Sequence, residues 1–124
     1  MVCERTFLQH CGCYDFQKAE EDEISILRQS ITPEELKNAA SSGEYLILAL
    51  VDCNTLGKRR GRNASYVGHY ILIYGYSSRL DLFYAKDPAK DEDVSEIPSE
   101  TMENARKVYG TDEDLVFVSI NENL

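Results

Sequence analysis

Two apolar runs stand three residues apart. "YVGHYILIYGY" covers residues 66–76 and "LDLFYAKD" covers residues 80–87, with Ser77, Ser78 and Arg79 between them. Strands joined by so short a turn must pair antiparallel. With Tyr76 opposite Leu80, Ile73 faces Phe83, Ile71 faces Ala85, and His69 faces Asp87. Ile71, Ile73, Phe83 and Ala85 then share one face of the hairpin. Tyr70, Leu72, Tyr74, Leu82 and Tyr84 share the other. A four-residue turn instead sets His69 beside Pro88, with Asp87 one step away.

The flanking segments supply the rest of the layout. "ISILRQSI", residues 24–31, reads as a short strand, and residues 14–22 as a short polar helix. Thr32-Pro33-Glu34-Glu35 has a capping threonine, proline at the first helical position and glutamate three residues after the cap. That predicts a helix running to Gly43. "YLILALVD", residues 45–52, is apolar almost throughout and predicts a strand buried on both faces. Residues 53–65 read as a polar, basic loop, and residues 90–98 as an acidic loop. "SETMENARKVYG" predicts a helix with Ser99 as cap and Gly110 as stop, and "DLVFVSI" a final strand. The order β-α-β-loop-β-β-α-β is that of an α+β domain, with a mixed or antiparallel sheet and flanking helices. Residues 1–13 show no period and are expected to be poorly ordered, leaving 14–124 as one domain.

Composition narrows the function classes. The chain has 124 residues and a net charge of −9, from 22 acidic and 13 basic side chains. That balance argues against a nucleic-acid or anionic-membrane surface, which wants a basic face. No apolar run approaches the roughly 20 residues of a membrane span. No signal-peptide core is present, so a cytoplasmic location with reduced thiols is expected for Cys3, Cys11, Cys13 and Cys53.

The expected juxtaposition of His69 and Asp87 has a chemical use. A carboxylate that accepts a hydrogen bond from one ring nitrogen fixes the tautomer and raises the basicity of the other, which can then take a proton from a nucleophile. The competing account is a buried pair that only closes the end of a sheet. His10, beside two cysteines in an unpatterned segment, carries no comparable signal.

"SGEYLILALVD", "YVGHYILIYGY", "KDPA" and "ENARKVYGTDEDLVFVSI", in that order, resemble the plant soluble guanylyl cyclase family and the related animal guanylyl-cyclase-domain proteins. The resemblance runs from about Phe16 to Ile120. The His-strand, turn and strand-Asp element also resembles papain-like cysteine peptidases of the bacteriocin-processing type. It implies a fold like the C-terminal half of such a peptidase. Family members carry an upstream Asp-Cys-Gly segment, where a papain-like nucleophile sits, and this chain has no such block. Cys11 and Cys13 are the thiols nearest to that role, but the chain from them to His69 is short and Glu20 to Glu23 crowd the next turn. A partial domain is expected to be less stable and to leave an apolar sheet face near Tyr45, Leu46, Ile47 and Leu48 uncovered, a surface for association.

Two functions follow. The family resemblance implies conversion of GTP to cyclic GMP, with Mg²⁺ or Mn²⁺ as the cofactor. Lys58, Arg59, Arg60 and Arg62 form the one dense basic cluster for the triphosphate. Asp112, Glu113 and Asp114 form an acidic cluster, and no phosphate-loop motif is present. In this reading the basic loop matters more than His69. The alternative is a thiol-hydrolase-type fragment that keeps His69 and Asp87 as its catalytic pair, lacks the nucleophile and is inactive alone. It accounts better for the residues themselves.

Overall fold

The β4–β5 hairpin anchors the architecture, and its register departs from the one expected. In the computed structural model, which describes residues 2–4, 25–27, 29–57, 65–88, 90 and 94–120, β4 spans Gly68–Ser77 and β5 spans Leu82–Lys86. Ser77 pairs with Leu82 and Tyr76 with Phe83. Beyond an irregularity between Ile73 and Gly75, Ile73 pairs with Ala85. The turn is therefore longer than three residues, and a β-bulge sits mid-strand. Asp81 explains the longer turn. It adopts φ 51°, and its carboxylate accepts from the Tyr76 hydroxyl, from Lys37 Nζ at 3.1 Å and from Ser99 Oγ at 2.9 Å. Ile73 faces Ala85 rather than Phe83, a shift of two residues. Side chains alternate with period two, so Ile71, Ile73, Phe83 and Ala85 keep their expected face, while Tyr76, beyond the bulge, turns to join them.

Among the described residues seven strands form one sheet. Numbered along the chain, with β1 as Val2–Glu4, β2 as Ser25–Leu27, β3 as Tyr45–Asp52, β6 as Ser95–Pro98 and β7 as Leu115–Ser119, the spatial order is β2-β1-β7-β3-β4-β5-β6. The five strands from β7 to β6 are antiparallel throughout. β1 runs parallel to β7 and antiparallel to β2, which makes the sheet mixed. Within the N-terminal segment expected to be poorly ordered, residues 2–4 pair with β7 and β2, and residues 1 and 5–13 lie outside the described residues. The helix expected at 14–22 lies outside the described residues.

Helix α1, Pro33–Ser41, forms as its start signal predicts. Thr32 Oγ1 accepts from the Glu35 N–H, and the Thr32 N–H donates to Glu35 Oε1, both at 3.2 Å. The chain leaves the helix through Gly43 at φ 75°. Helix α3, Ser99–Arg106, is capped differently from expectation. Pro98 is its N-cap, and Ser99 is the first helical residue, with its N–H bound to the Asp81 carbonyl at 3.0 Å. Besides β1, two elements were not anticipated. One is the short helix α2, Cys53–Leu56, and the other is β6, inside the stretch read as acidic loop.

The helices cover one face of the sheet. Leu36 and Ala40 of α1 and Met102 and Ala105 of α3 pack on Ile47, Ala49, Val51, Ile71, Ile73, Phe83, Ala85, Ile97, Leu115 and Phe117. Strand β3 is therefore fully buried on that face only, while Leu46, Leu48 and Leu50 are half-buried on the other. Of the residues expected at an uncovered face, Leu46 and Leu48 lie half-buried on the face away from the helices, and Tyr45 and Ile47 do not. Ile47 is fully buried, and the Tyr45 ring packs edge-on to Phe117 with centroids 5.5 Å apart.

The buried Arg106 fastens α3 to the chain before α1. It donates to the Ile31 carbonyl at 2.7 Å and to both oxygens of Glu103 at 2.7 and 2.9 Å. Among the described residues no helix is long and apolar enough to cross a membrane.

Candidate functional site

The core rows of the sheet run out at one end, and the site lies there. Cross-strand partners on the helix face are Phe117–Ile47–Ile73, then Leu115–Ala49–Ile71, then Val51–His69. His69 thus occupies what would be the next apolar position. Val51 beside it is fully buried, whereas the histidine side chain keeps 20% exposure. Asp87 follows the last residue of β5. Continuing the observed register sets it beside Ile71, diagonal to His69 on the same face. The side chains bridge that diagonal: His69 Nε2 lies 2.6 Å from Asp87 Oδ1, and the Asp87 side chain is 8% exposed. The geometric expectation for this pair is met, through a diagonal rather than a direct cross-strand contact.

A carboxylate only accepts, so Nε2 carries the hydrogen in the neutral ring and Nδ1 is left as the proton acceptor. Each member of the pair lines a different cleft. One, about 470 Å³, is lined by His69 with Leu50, Tyr66, Gly68, Tyr70, Gly110, Asp112 and Asp114. The other, about 400 Å³, is lined by Asp87 with Leu56, Ile71, Ala85 and residues of the β6 segment. A larger groove of about 930 Å³ follows α3, past Glu100, Asn104 and Lys107. It holds neither member of the pair, so the chemistry points to the smaller clefts.

Asp52 braces this end of the sheet. Its side chain accepts from the Thr55 hydroxyl at 2.6 Å, the Thr55 N–H at 3.1 Å and the Val67 N–H at 2.9 Å. Burial alone would push the Asp52 carboxyl up. The Thr55 hydroxyl and the backbone donors outweigh it and hold the group below the usual carboxylate range. The result ties β3, α2 and the entry to β4 together just ahead of His69. A strand ending in Asp, with Thr three residues later, is the sequence signal for this cap.

Tyr66 is the other residue sequence reasoning passed over. A Cβ on Gly68 would stand 2.5 Å from the Tyr66 hydroxyl oxygen, and one on Gly110 would stand 2.8 Å from Cδ2. The space beside His69 that Gly68 leaves open is thus filled by this tyrosine. Burial raises the Tyr66 pKa, and the charges of Asp52, Asp112 and Asp114 raise it further.

The other candidates divide. Asp112 and Asp114 line the His69 cleft. Glu113 does not join them: it accepts from Ser30 Oγ at 2.9 Å and lies 3.9 Å from Arg106. Asp112 and Glu113 both sit in the left-handed region, at φ 51° and 54°. Among the described residues no group of three or more His, Cys, Asp or Glu side chains is placed to hold a metal ion. The acidic cluster therefore does not fit a Mg²⁺ or Mn²⁺ site by itself. Lys58, Arg59, Arg60 and Arg62 lie outside the described residues, as do Cys11, Cys13 and His10. Cys53, at the start of α2, is an exposed free thiol.

Comparison with known proteins agrees with the family resemblance that the four sequence blocks carry. The model of the family described as "Guanylylate cyclase" matches residues 13–118. The protein named "Guanylyl cyclase 1" of Arabidopsis thaliana is 38% identical over 119 residues, covering 88% of this chain. The chain spans 43% of that relative's length. No solved structure matches. The chain is a member of the guanylyl cyclase family.

Proposed function

We propose that this chain carries the proton-accepting pair of a guanylyl cyclase site that converts GTP to cyclic GMP and pyrophosphate. The observation that supports the reading most is the His69–Asp87 contact of 2.6 Å, each partner lining a cleft. His69 Nδ1 takes the proton of the ribose 3′-hydroxyl. That oxygen attacks the α-phosphorus, the bond to the β-phosphate bridging oxygen breaks, and pyrophosphate leaves. Asp87 orients the ring and stabilises the imidazolium as it forms. Lys58, Arg59, Arg60 and Arg62 are the proposed source of positive charge for the triphosphate, on a chain of net charge −9. A divalent cation would accompany the triphosphate. The described residues give it no ligand set, so no step here runs through it.

The test is cyclic GMP formation by the purified chain with Mg²⁺ or Mn²⁺. His69→Ala should lower kcat about a hundredfold or more, the usual scale of a general base. Neutralising the four basic residues should instead raise KM, increasingly so at higher salt. Turnover untouched by His69→Ala would remove the histidine from the reaction.

A second reading rests on the same pair. A His–Asp pair of this geometry also serves thiol nucleophiles, and the matched relative is more than twice as long as this chain. In that reading the site is a papain-like thiol-hydrolase site with its cysteine on additional sequence, and this chain alone turns over no GTP. A longer chain carrying that cysteine would then show thiol reactivity dependent on His69, and the basic loop would be dispensable.

A further inference from the structure

We propose that Tyr66 is the wall on which the guanine ring of the nucleotide stacks, in the cleft that also holds His69. The inference rests on the cyclase reading and names the part of the substrate this cleft receives.

The ring is positioned for that task by two residues without side chains. Its hydroxyl end lies against Gly68 and one face of the ring, over Cδ2 and Cε2, lies against Gly110, which takes φ 110°, where other residues are strained, so the opposite ring face is the one assigned to the base. No side chain at either glycine competes for the space, so the ring sits in contact with the residue that precedes His69. Tyr66 remains 37% exposed and contributes to the cleft wall. The cleft volume, about 470 Å³, lies within the usual range of roughly 300–1,000 Å³ for small-molecule pockets. A base stacked on this ring brings its ribose toward His69, where the 3′-hydroxyl must come.

Charge decides which end of the nucleotide enters. Asp112 and Asp114 line the same cleft, and their field, with that of Asp52, is strong enough to raise the tyrosine pKa beyond the effect of burial. A triphosphate is repelled from such a surface, whereas a neutral ring rich in N–H donors is attracted. Guanine presents N1–H and the N2 amino group side by side, a donor pair that a carboxylate accepts. Adenine offers an acceptor nitrogen at position 1 and meets repulsion there. The cleft therefore favours guanine over adenine, with the stacking contributed by Tyr66 and the discrimination by the carboxylates.

The experiment uses the neutral nucleosides guanosine, inosine and adenosine, which carry no phosphate, in equilibrium dialysis against the purified chain, alongside GTP turnover. Guanosine should bind best, inosine less for want of the amino group, and adenosine least. Tyr66→Ala should weaken guanosine binding about tenfold, the middle of the range for losing one base–aromatic stack. Tyr66→Phe, which keeps the ring, should stay within about threefold, and equal thermal unfolding of the two variants separates stacking from misfolding. Asp112→Asn should narrow the guanosine-to-adenosine preference. GTP turnover with guanosine affinity unchanged in Tyr66→Ala, or with guanosine and adenosine bound equally, overturns this inference and leaves the cyclase reading standing. Absence of both turnover and guanosine binding overturns the two together.

Discussion

Asp81 shows how one exposed carboxylate can fix a turn. The Tyr76 hydroxyl, then Lys37, then Ser99 draw its pKa down to about 2. The folded-state value lies below the unfolded carboxylate value of about 3.9. Its contribution to stability is therefore fully present above pH 4 and fades as pH falls toward 2. Asp81→Asn should lower Tm at neutral pH, and the gap from the parent protein should close between pH 4 and 2 in a thermal-unfolding series. A gap constant across that window would show that the charge is not what holds the turn. At this scale the His69–Asp87 contact was legible, because the two residues flank one turn at matched distances. Tyr66 was not: its role depends on Gly110, which the sequence presents only as the stop of a distant helix. The basic cluster at 58–62 lies outside the described residues.

Elements were readable where the signal is local. Helix α1 announces itself through the Thr32 capping box, and Thr32→Ala should cost about 1 kcal/mol, checked by urea unfolding. Strand β6 gave no such signal. It is four residues long, ends in Pro98 and lies at the sheet edge, where pairing to β5 rather than its own composition makes it a strand. Helix α2 is held by one aspartate and has too few residues for a period. Arg106 is the residue whose importance only packing reveals, since a charged side chain late in a helix ordinarily faces solvent. Arg106→Ala should destabilise the fold by about 3 kcal/mol or more, because it strips the donors from the Ile31 carbonyl and from Glu103 while emptying a buried site. A loss below about 1 kcal/mol in the same denaturant series would mean that this clamp is replaceable.

For the molecule as a whole, the alternation of β4 and β5 with their neighbours decides which residues meet. The fold class and the hairpin follow from patterning, whereas the apolar run at 45–52 reads as buried on both faces and is fully buried on one. Patterning did not yield the bulge, because the inward positions Ile71, Ile73 and Tyr76 change parity within a single strand. Tyr74 is the extra residue at that change. It is 40% exposed, and its ring stacks on Tyr84 with centroids 6.5 Å apart. Removing Tyr74 should flatten the bulge at the cost of that surface contact, about 0.5–1.5 kcal/mol, and leave His69 joined to Asp87. Removing Leu72 should turn the strand inside out on one side of the deletion and abolish cooperative thermal unfolding. Equal damage from the two deletions would refute the assignment of Tyr74 as surplus. The bulge thus gives this strand a spare letter. Descendants of the gene can lose it and still be read in frame, so length variation should gather in the middle of β4 and spare the end where the histidine stands.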